Sequence, residues 1–337
     1  MARAAGRPVQ PRIARTVSLS VIIPTRNRRE LLAETLRRLD QQHEPDCEVI
    51  VVDDGSQDNT SRTMRDLARD LAVELRLERQ VASGPAAARN RGLQAARGEV
   101  CLFLGDDTWP RAGLLRRHVT FHESHPEPGA ALLGRVTWAP EARPTPFMRW
   151  IERSGIQFAY PVHGAGSGLP GRFFYTANVS VKRAYVLAHG GFDESFRHAA
   201  SEDTELGMRL ERAGLALAYD PMALAEHFHP VDLPTTVRRM RVVGASTALL
   251  VERVAGHPAP RRPGGRHRVK AAALTALVAT GLRPTGLRHA TWKFLCHEAH
   301  REGFWGVEPP ADGGLAIGRR LLDLAARDPA TSRPDRQ

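Results

Sequence analysis

Cysteine is scarce in this sequence, and so are long apolar runs. The three cysteines, Cys47, Cys101 and Cys296, are odd in number and far apart, and none stands in a CxxC or Cys/His finger spacing. That argues against a disulfide framework or a zinc module and is compatible with a reducing cytosol. Residues 1–15 are basic and lack the apolar stretch of a secretory signal. We therefore expect a disordered arm on a cytoplasmic protein.

Positive charge is concentrated at the two ends of the chain. The net charge is +11, and residues 235–337 hold eighteen Lys and Arg against eight Asp and Glu. Such appendages suit peripheral contact with an anionic membrane or a phosphate-bearing acceptor, and a solvated arginine-rich surface explains them equally well. The apolar run at 271–282 is too short to cross a bilayer and predicts a buried helix. No nucleic-acid-binding module is recognisable, so we expect no nucleic acid partner.

The common phosphate-binding motifs are missing as well. There is no Walker A sequence, and residues 166–171 match GxGxxG only formally. That fingerprint needs a strand before it and a helix after it, whereas Pro161 precedes this one and Pro170 interrupts it. The usual dehydrogenase and P-loop functions are therefore not expected.

Strands alternate with helices four times before residue 140. Short apolar or β-branched runs predict strands at 18–23, 48–52, 73–78 and 99–104, and Pro24 is expected to end the first. The alternation predicts a doubly wound, mostly parallel sheet. Residues 139–171 lack a clear period and suit a binding loop or lid.

Paired carboxylates follow two of these strands. The second strand leads to Asp53 and Asp54, and the fourth leads through Gly105 to Asp106 and Asp107, before a proline expected to open the next helix. Ligands collect at the carboxyl ends of strands in such sheets, and carboxylates with nucleotide phosphates are usual ligands of Mg²⁺ and Mn²⁺. An acidic turn explains each pair on its own.

Two predicted helix starts carry groups suited to catalysis. Arg89 lies in the first turns of a helix that opens at Gly84 and Pro85, where phosphate binding and a surface arginine are both open explanations. Ser201 is a good N-cap, which places Glu202 and Asp203 in a first turn. A carboxylate there suits a general base or the ordinary preference for acidic residues in a first turn.

Two histidines alternate along a later strand. His227 and His229 lie on one side of it, shortly after the acidic helix, so one of them is a candidate metal or phosphate ligand. A further strand is predicted over 173–181, with Thr176 and Asn178 as its polar positions.

Seven segments in a fixed order resemble the family 2 nucleotide-sugar glycosyltransferases of the GT-A fold. They cover roughly two thirds of the chain, from Ser18 to about Pro230, and read SVIIPTRNR, VIVVDDGSQDNT, GPAAARNRGLQAARGE, CLFLGDDTWP, FFYTANVSVKR, GGFDESF with SEDTELGMRL, and AEHFHP. The resemblance implies an α/β, Rossmann-like fold with a mostly parallel central sheet flanked by helices. Beyond Pro234 the resemblance fades, and the sequence there predicts a C-terminal helical extension.

The resemblance also implies roles for single residues on the donor side. Pro24, Thr25 and Asn27 would lie along the nucleoside, Asp53 or Asp54 would bind the base, and Arg89 would face the nucleotide. Asp106 and Asp107 resemble the DxD-type site that binds nucleotide and metal, with Asp107 as the main metal ligand. His227 would be a late metal or diphosphate ligand. Gly105 stands where many relatives carry a third aspartate, which leaves the identity of the metal, Mn²⁺ or Mg²⁺, open.

On the acceptor side, Asp203 matches the catalytic base of the family. Glu202 beside it would contact acceptor or sugar, as would Thr176 and Asn178. The implied reaction is a metal-dependent, inverting transfer from a UDP- or dTDP-sugar to a hydroxyl of a cell-surface glycan, a lipid-linked or a natural-product acceptor.

Two other functions stay open. A sugar-phosphate nucleotidyltransferase also places acids at strand ends, but it usually has a glycine-rich loop after the first strand, which residues 24–27 lack. A non-catalytic nucleotide-sugar-binding subunit would not need the base Asp203 beside the metal ligand Asp107.

The predicted organisation has four parts. Residues 1–15 form the arm, and 16–234 form the GT-A domain, with a nucleotide-binding half at 16–140 and an acceptor-binding half at 141–234. Residues 235–310 form a helical region, with helices expected at 235–253 and 269–302 around a linker at 257–266. Residues 311–337 carry a short helix and a polar tail.

Overall fold

A computed structural model describes residues 18–158, 160, 166–262, 264–308, 315–316 and 318–332. The predicted arm at 1–15 and most of the predicted polar tail lie outside these residues.

A sheet of nine strands forms the centre of the described part of the chain. The strands are β1 (Leu19–Thr25), β2 (Cys47–Asp54), β3 (Glu74–Gln80), β4 (Val100–Leu104), β5 (Thr108–Pro110), β6 (Ala130–Trp138), β7 (Gly166–Leu169), β8 (Asn178–Lys182) and β9 (Ala216–His227). Their order is β3-β2-β1-β4-β8-β6-β9-β5, and β7 also pairs with β9. Strands β3, β2, β1 and β4 are parallel, β8 runs antiparallel to β4 and β6, and β9 is parallel to β6. The predicted mostly parallel sheet is confirmed.

Eleven helices occur in the described part of the chain. They are α1 (Arg29–Asp40), α2 (Thr60–Leu67), α3 (Pro85–Ala95), α4 (Leu114–Ser124), α5 (Pro146–Ser154), α6 (Arg183–Ala188), α7 (Glu202–Arg212), α8 (Leu233–Arg253), α9 (Gly265–Ala279), α10 (Thr285–Phe304) and α11 (Arg319–Ala326). Short 3-10 turns lie at Pro140–Ala142, Gly171–Phe173 and Pro329–Thr331.

The apolar runs of the sequence become strands that are buried on both faces. In β4, all five residues are buried; Phe103 packs into the core on one face of the sheet and Leu102 into the core on the other. Helix α1 places Leu32, Leu36 and Leu39 in the second of these cores. Burial on both faces is what near-continuous Val, Ile and Leu runs favour in parallel sheets. The carboxyl end of β4 therefore delivers Asp106 and Asp107 at a fixed position.

Two predictions about prolines are wrong. Pro24 does not end the first strand but pairs with Val52 inside β1. Strand β4 pairs with β1 only as far as Ile22, so Pro24 has a partner strand on one side only and its missing N–H is tolerated. Pro110 does not open a helix. It lies in β5, where it pairs with Ala225 of β9, and α4 begins only at Leu114.

Two predicted elements are shorter than expected. The strand expected over 173–181 forms only at 178–182, and the chain before it makes a 3-10 turn over Gly171–Phe173. A Cβ at Gly171 would meet the backbone oxygen of Gly207 at 2.1 Å. The helix expected over 269–302 divides into α9 and α10 at Gly281, whose φ is +82°, and Pro284.

The C-terminal helices share a core with the sheet. One apolar cluster joins Trp109 of β5, Trp138 of β6 and Phe147 of α5 to Val237 of α8 and Trp292 of α10. Helices α8 and α10 approach closely at glycine, since a Cβ at Gly244 would meet the His300 carbonyl oxygen at 2.0 Å. The predicted boundary at residue 234 therefore does not separate two cores. Within the described ranges, every helix is too short or too polar to cross a membrane.

Candidate active site

A cavity of about 580 Å³ opens where β1, β2 and β4 end. Ten of the thirteen residues predicted for the site line it: Pro24, Thr25, Asp54, Arg89, Asp106, Asp107, Thr176, Glu202, Asp203 and His227. The structure thus brings together residues up to 203 positions apart in the sequence.

Asp106 and Asp107 are both buried at the floor of the cavity. Asp106 accepts a hydrogen bond from Thr25 Oγ1 at 2.8 Å, and its backbone carbonyl accepts one from Thr35 Oγ1 at 2.8 Å. Arg28 Nη1 lies 3.1 Å from Asp106 Oδ1 and 2.6 Å from Asp107 Oδ2. Burial and the neighbouring Asp107 raise the pKa of Asp106 above its ordinary value. One guanidinium therefore neutralises two adjacent carboxylates only in part.

Asp107 is also the point where two histidines converge. Its Oδ1 lies 3.1 Å from His227 Nε2, and its Oδ2 lies 3.6 Å from His229 Nδ1. Strand β5 pairs with β9 and brings Thr108 opposite His227, which fixes this approach. Burial alone would raise the pKa of Asp107, but His227, Arg28 and His229 outweigh it and hold that pKa well below its usual range.

The donor types around Asp107 fit a divalent cation. Carboxylate and imidazole groups are common ligands of Mn²⁺ and related ions. Within the described ranges, however, no group of three or more His, Cys, Asp and Glu side chains is already spaced to hold a metal ion. The chemistry of the donor set therefore fits the ion, while Arg28 lies between the two carboxylates.

Asp53, Asp54 and Asn27 tie the neighbouring loops together. Asp54 lines the cavity and accepts hydrogen bonds from the backbone N–H of Ser83 at 2.7 Å and of Gly84 at 2.9 Å, at the start of α3. Asp53 lies behind the cavity wall and accepts from the N–H of Ser56 at 2.8 Å. Asn27, at φ +54°, donates its N–H to Ser56 Oγ at 2.9 Å. Asn27 and Asp53 do not line the cavity itself.

Arg89 pairs with Glu202 across the cavity wall. Its Nη1 lies 2.7 Å from Glu202 Oε1, and both side chains are buried, at 9% and 3% relative exposure. Arg89 Nε and Glu202 Oε2 have no hydrogen-bond partner among the described residues. Burial and the neighbouring Asp203 raise the pKa of Glu202 to about 7. The contact joins the first turns of α3 and α7.

Asp203 is only half-buried and faces Thr176. Its Oδ2 accepts hydrogen bonds from the backbone N–H of Thr176 at 3.3 Å and from Thr176 Oγ1 at 3.5 Å. Its Oδ1 accepts from the N–H of Thr204 at 2.8 Å. Ser201 occupies the N-cap position of α7 at φ +68°, without a side-chain capping bond. These contacts hold the Asp203 carboxylate at the N-terminus of α7.

Asn178 does not reach the cavity. It is fully buried in the sheet, where its Nδ2 donates to the carbonyls of Ala223 at 2.9 Å and Arg135 at 3.2 Å. Its Oδ1 lies 3.0 Å from His118 Nε2. The family resemblance implied that both Asn178 and Thr176 contact acceptor or sugar. Thr176 precedes β8, so the two side chains point to different surroundings.

Sequence reasoning missed the contributions of Arg28 and of α8. Arg28 received no role from the sequence, although it follows directly on residues 24–27. Helix α8 contributes Thr236, Arg239, Met240 and Val243 to the cavity wall. The sequence indicates a surplus of positive charge in this region, but no local pattern connects it to strands more than a hundred residues earlier.

Comparison with known proteins agrees with this geometry. Residues 20–161 match the sequence model of the family described as glycosyl transferase family 2. The chain is 30% identical over 248 residues to validoxylamine A glucosyltransferase of Streptomyces hygroscopicus subsp. jinggangensis, covering 64% of this chain and 55% of that protein. It is 32% identical over 253 residues to pre-mycofactocin glycosyltransferase of Mycobacterium tuberculosis, covering 73% of this chain and 49% of that protein. Residues 20–161 therefore form a domain of glycosyltransferase family 2.

Solved structures support the fold. A mannosyltransferase from Pyrobaculum calidifontis, in complex with GDP-Man and Mn²⁺, superposes with a TM-score of 0.59 at 21% identity, covering 90% of this chain and 92% of that one. Residues 1–349 of S. aureus TarS in complex with UDP give a TM-score of 0.51 at 18% identity, covering 90% and 96%. The fold is therefore GT-A, as expected. The chain spans between 38% and 61% of the length of the first curated relatives that it matches.

Proposed function

We propose that the protein is an inverting, metal-dependent glycosyltransferase that moves a sugar from a nucleoside-diphosphate sugar to an acceptor hydroxyl. The observation that carries the proposal is that Asp107, with His227 and His229, and Asp203, at the start of α7, line one cavity. Family membership and relatives named as glucosyl- and glycosyltransferases support this reaction class.

Each of these residues has a role in that reaction. Asp203 accepts the proton of the acceptor hydroxyl as its oxygen attacks the anomeric carbon. Thr176 orients the Asp203 carboxylate through its N–H and hydroxyl. Asp106, Asp107 and His227 would hold Mn²⁺ or Mg²⁺, which supplies positive charge for the departing diphosphate. A single displacement of this kind inverts the anomeric centre.

The donor side of the cavity suits a nucleotide. Pro24, Thr25 and Asp54 line it, and the backbone at Gly84 and Pro85 opens α3 towards it. We include UDP and dTDP as carriers because the resemblance implies them, and GDP because the mannosyltransferase with the same fold was solved with GDP-Man.

The acceptor side has apolar and basic walls. Ile151 and Ile156 line it from α5 and the residues that follow, and Met240, Val243 and Arg239 line it from α8. An acceptor with an apolar part and an anionic group, such as a lipid-linked sugar, matches such walls. A cell-surface glycan and a natural product stay within the proposal.

Peripheral contact with an anionic membrane is part of the proposal and is supported by α9. Its outward face exposes Val269 and Leu277, at 72% and 51%, and Leu282 just beyond it is 65% exposed. Residues 271–282 carry no charge, and the turns before them carry Arg266, Arg268 and Lys270, all exposed. Exposed apolar side chains beside basic ones suit the surface of an anionic bilayer.

The test of the catalytic assignment is the substitution Asp203→Asn. We expect the rate of nucleoside diphosphate release with acceptor to fall about 10²-fold to 10⁴-fold, because the general base is lost. Binding of the nucleoside diphosphate should stay unchanged. Asp70→Asn, at an exposed position away from the cavity, is the matched control and should retain full activity. A product of retained anomeric configuration, or full activity of the Asp203 variant, would contradict the proposal.

A further inference from the structure

We infer that Arg28 is an internal counter-cation of the Asp106–Asp107 pair, which a divalent metal ion must displace in order to bind. The inference rests on the proposed metal-dependent function and concerns a residue outside the expected ligand set.

The geometry of Arg28 carries the inference. A single nitrogen, Nη1, lies 3.1 Å from Asp106 Oδ1 and 2.6 Å from Asp107 Oδ2, so it bridges the two carboxylates. A metal ion shared by these carboxylates would need the same oxygens. The guanidinium and the ion therefore compete for one position.

The surroundings explain why a counter-cation is needed there. Asp106 and Asp107 are 7% and 5% exposed, and two adjacent buried carboxylates repel each other unless positive charge lies close by. Thr25 and Thr35 fix Asp106, and the histidines fix Asp107, so the carboxylates cannot simply turn to solvent. Arg28 thus holds the acidic pair in place before a metal ion binds.

The position of Arg28 also allows its side chain to move away from the two carboxylates. Its side chain is 37% exposed, whereas the carboxylates it contacts are buried. It stands at the N-cap of α1, outside the helix proper, and it has the flexible stem of any arginine. Because it lines the same cavity, the displaced guanidinium stays where a diphosphate can accept its hydrogen bonds.

The competition predicts a specific effect on metal affinity. In Arg28→Gln the carboxylates lose their resident cation, so Mn²⁺ should bind the nucleotide-free protein about tenfold more tightly or better, since a charge-assisted contact no longer has to be broken. Thermal stability in EDTA should fall, and the gain in Tm on adding Mn²⁺ should exceed that of the unmodified protein. If Arg28 did not compete with the ion, its removal would not raise the affinity for Mn²⁺.

The experiment measures Mn²⁺ binding to the full chain by electron paramagnetic resonance of the free ion, without nucleotide. Arg29→Gln is the matched control: it removes the same charge one residue away, where Arg29 contacts Glu30 and Asp58 but neither aspartate of the pair. The control should bind Mn²⁺ within about twofold of the unmodified protein. Arg28→Lys, which keeps a cation without the guanidinium, should give an intermediate affinity and serves if Arg28→Gln does not fold.

The outcomes separate the inference from the proposed function. Tighter Mn²⁺ binding in Arg28→Gln but not in Arg29→Gln supports the inference. Binding by the unmodified protein that is unchanged or weakened in Arg28→Gln overturns the inference and leaves the metal-dependent function standing. If neither form binds Mn²⁺, either alone or with UDP, dTDP or GDP, both the inference and the metal requirement are wrong.

Discussion

Arg89 and Glu202 bury opposite charges in one wall of the cavity, where each keeps one polar atom without a partner among the described residues. A buried pair of this kind is expensive to break from one side, since the remaining charge has lost its counterpart. Its position between the first turns of α3 and α7 places it next to Asp203. We interpret it as a positioning contact for Asp203, which we propose as the general base.

Replacing Arg89 with Ala should therefore destabilise the fold. The expected loss in the free energy of unfolding is about 3–5 kcal/mol, which urea denaturation measures directly. Arg91, two residues further along α3, forms a partly exposed ion pair with Glu78. Arg91→Ala should therefore lower the free energy of unfolding by less than about 1 kcal/mol. If both variants lost the same free energy of unfolding, the buried pair would stabilise the fold no more than the exposed one.

Residue types at the site were predictable, but residue partners were not. Asp106, Asp107, Asp203 and His227 stand beside strand ends and helix starts, which are positions that sequence patterns indicate. Arg89 was expected to face the nucleotide; it lines the cavity, where the structure also pairs it with Glu202. That partner depends on how α7 packs against α3, at a separation of 113 positions in the sequence, and has no local signal.

At the scale of elements, α4 carries a pair of histidines under the sheet that the sequence analysis did not use. His118 Nδ1 and His122 Nε2 contact Ser180 Oγ at 2.7 and 2.9 Å, and His118 also contacts Asn178. Burial lowers the pKa of His118 to about 4 and that of His122 to about 2. Both rings are therefore neutral in the folded protein at neutral pH, and they join α4 to β8.

This pairing gives the fold a defined sensitivity to acid. The folded pKa of His118 lies below the ordinary value of 6.5, so the unfolded chain takes up a proton first as the pH falls. Stability that is complete above pH 6.5 is lost on going towards pH 4, by about 2 kcal/mol for this histidine between pH 7 and 5.

Urea denaturation at pH 7 and pH 5 measures that loss. His118→Gln should reduce the difference between the two pH values, while His43→Gln, at an exposed position, should leave it unchanged. An identical pH dependence in His118→Gln and the unmodified protein would contradict a role for the buried ring.

Element boundaries show where sequence patterns stop being informative. The strands and helices of the first half were predictable because apolar runs and their spacing repeat there. Gly281 and Pro284 mark the point where the C-terminal helical region divides. The apolar run before Gly281 nevertheless favoured one continuous helix over 269–302. The 3-10 turn at Gly171 depends on contact with Gly207, which only the folded chain brings close.

At the scale of the whole molecule, α8 to α11 complete the catalytic domain. Trp292 packs in the same cluster as Trp109 and Trp138, and α8 closes one side of the cavity. A C-terminal helical extension was expected beyond residue 234, because the family resemblance fades there. The sequence shows the basic surface of these helices, whereas their buried faces share a core with the sheet.

The exposed face of α9 predicts vesicle binding. The full chain should co-float with vesicles that contain phosphatidylglycerol and not with pure phosphatidylcholine, because its apolar face adjoins basic residues. Leu277→Glu should abolish co-flotation. Val81→Glu introduces the same charge at an 86% exposed valine after β3 and should leave it intact. Equal binding of all three proteins, or none by the unmodified protein, would contradict membrane contact through this face.

The most direct test of the proposed function is calorimetric titration of UDP, dTDP and GDP into the full chain, with and without Mn²⁺, in parallel with Asp107→Ala. We expect one diphosphate to bind in a metal-dependent manner. Asp107→Ala should abolish the metal dependence, since Asp107 belongs to the acidic pair and contacts both histidines. Binding that is indifferent to both Mn²⁺ and Asp107, or no binding of any diphosphate, would contradict the proposed function.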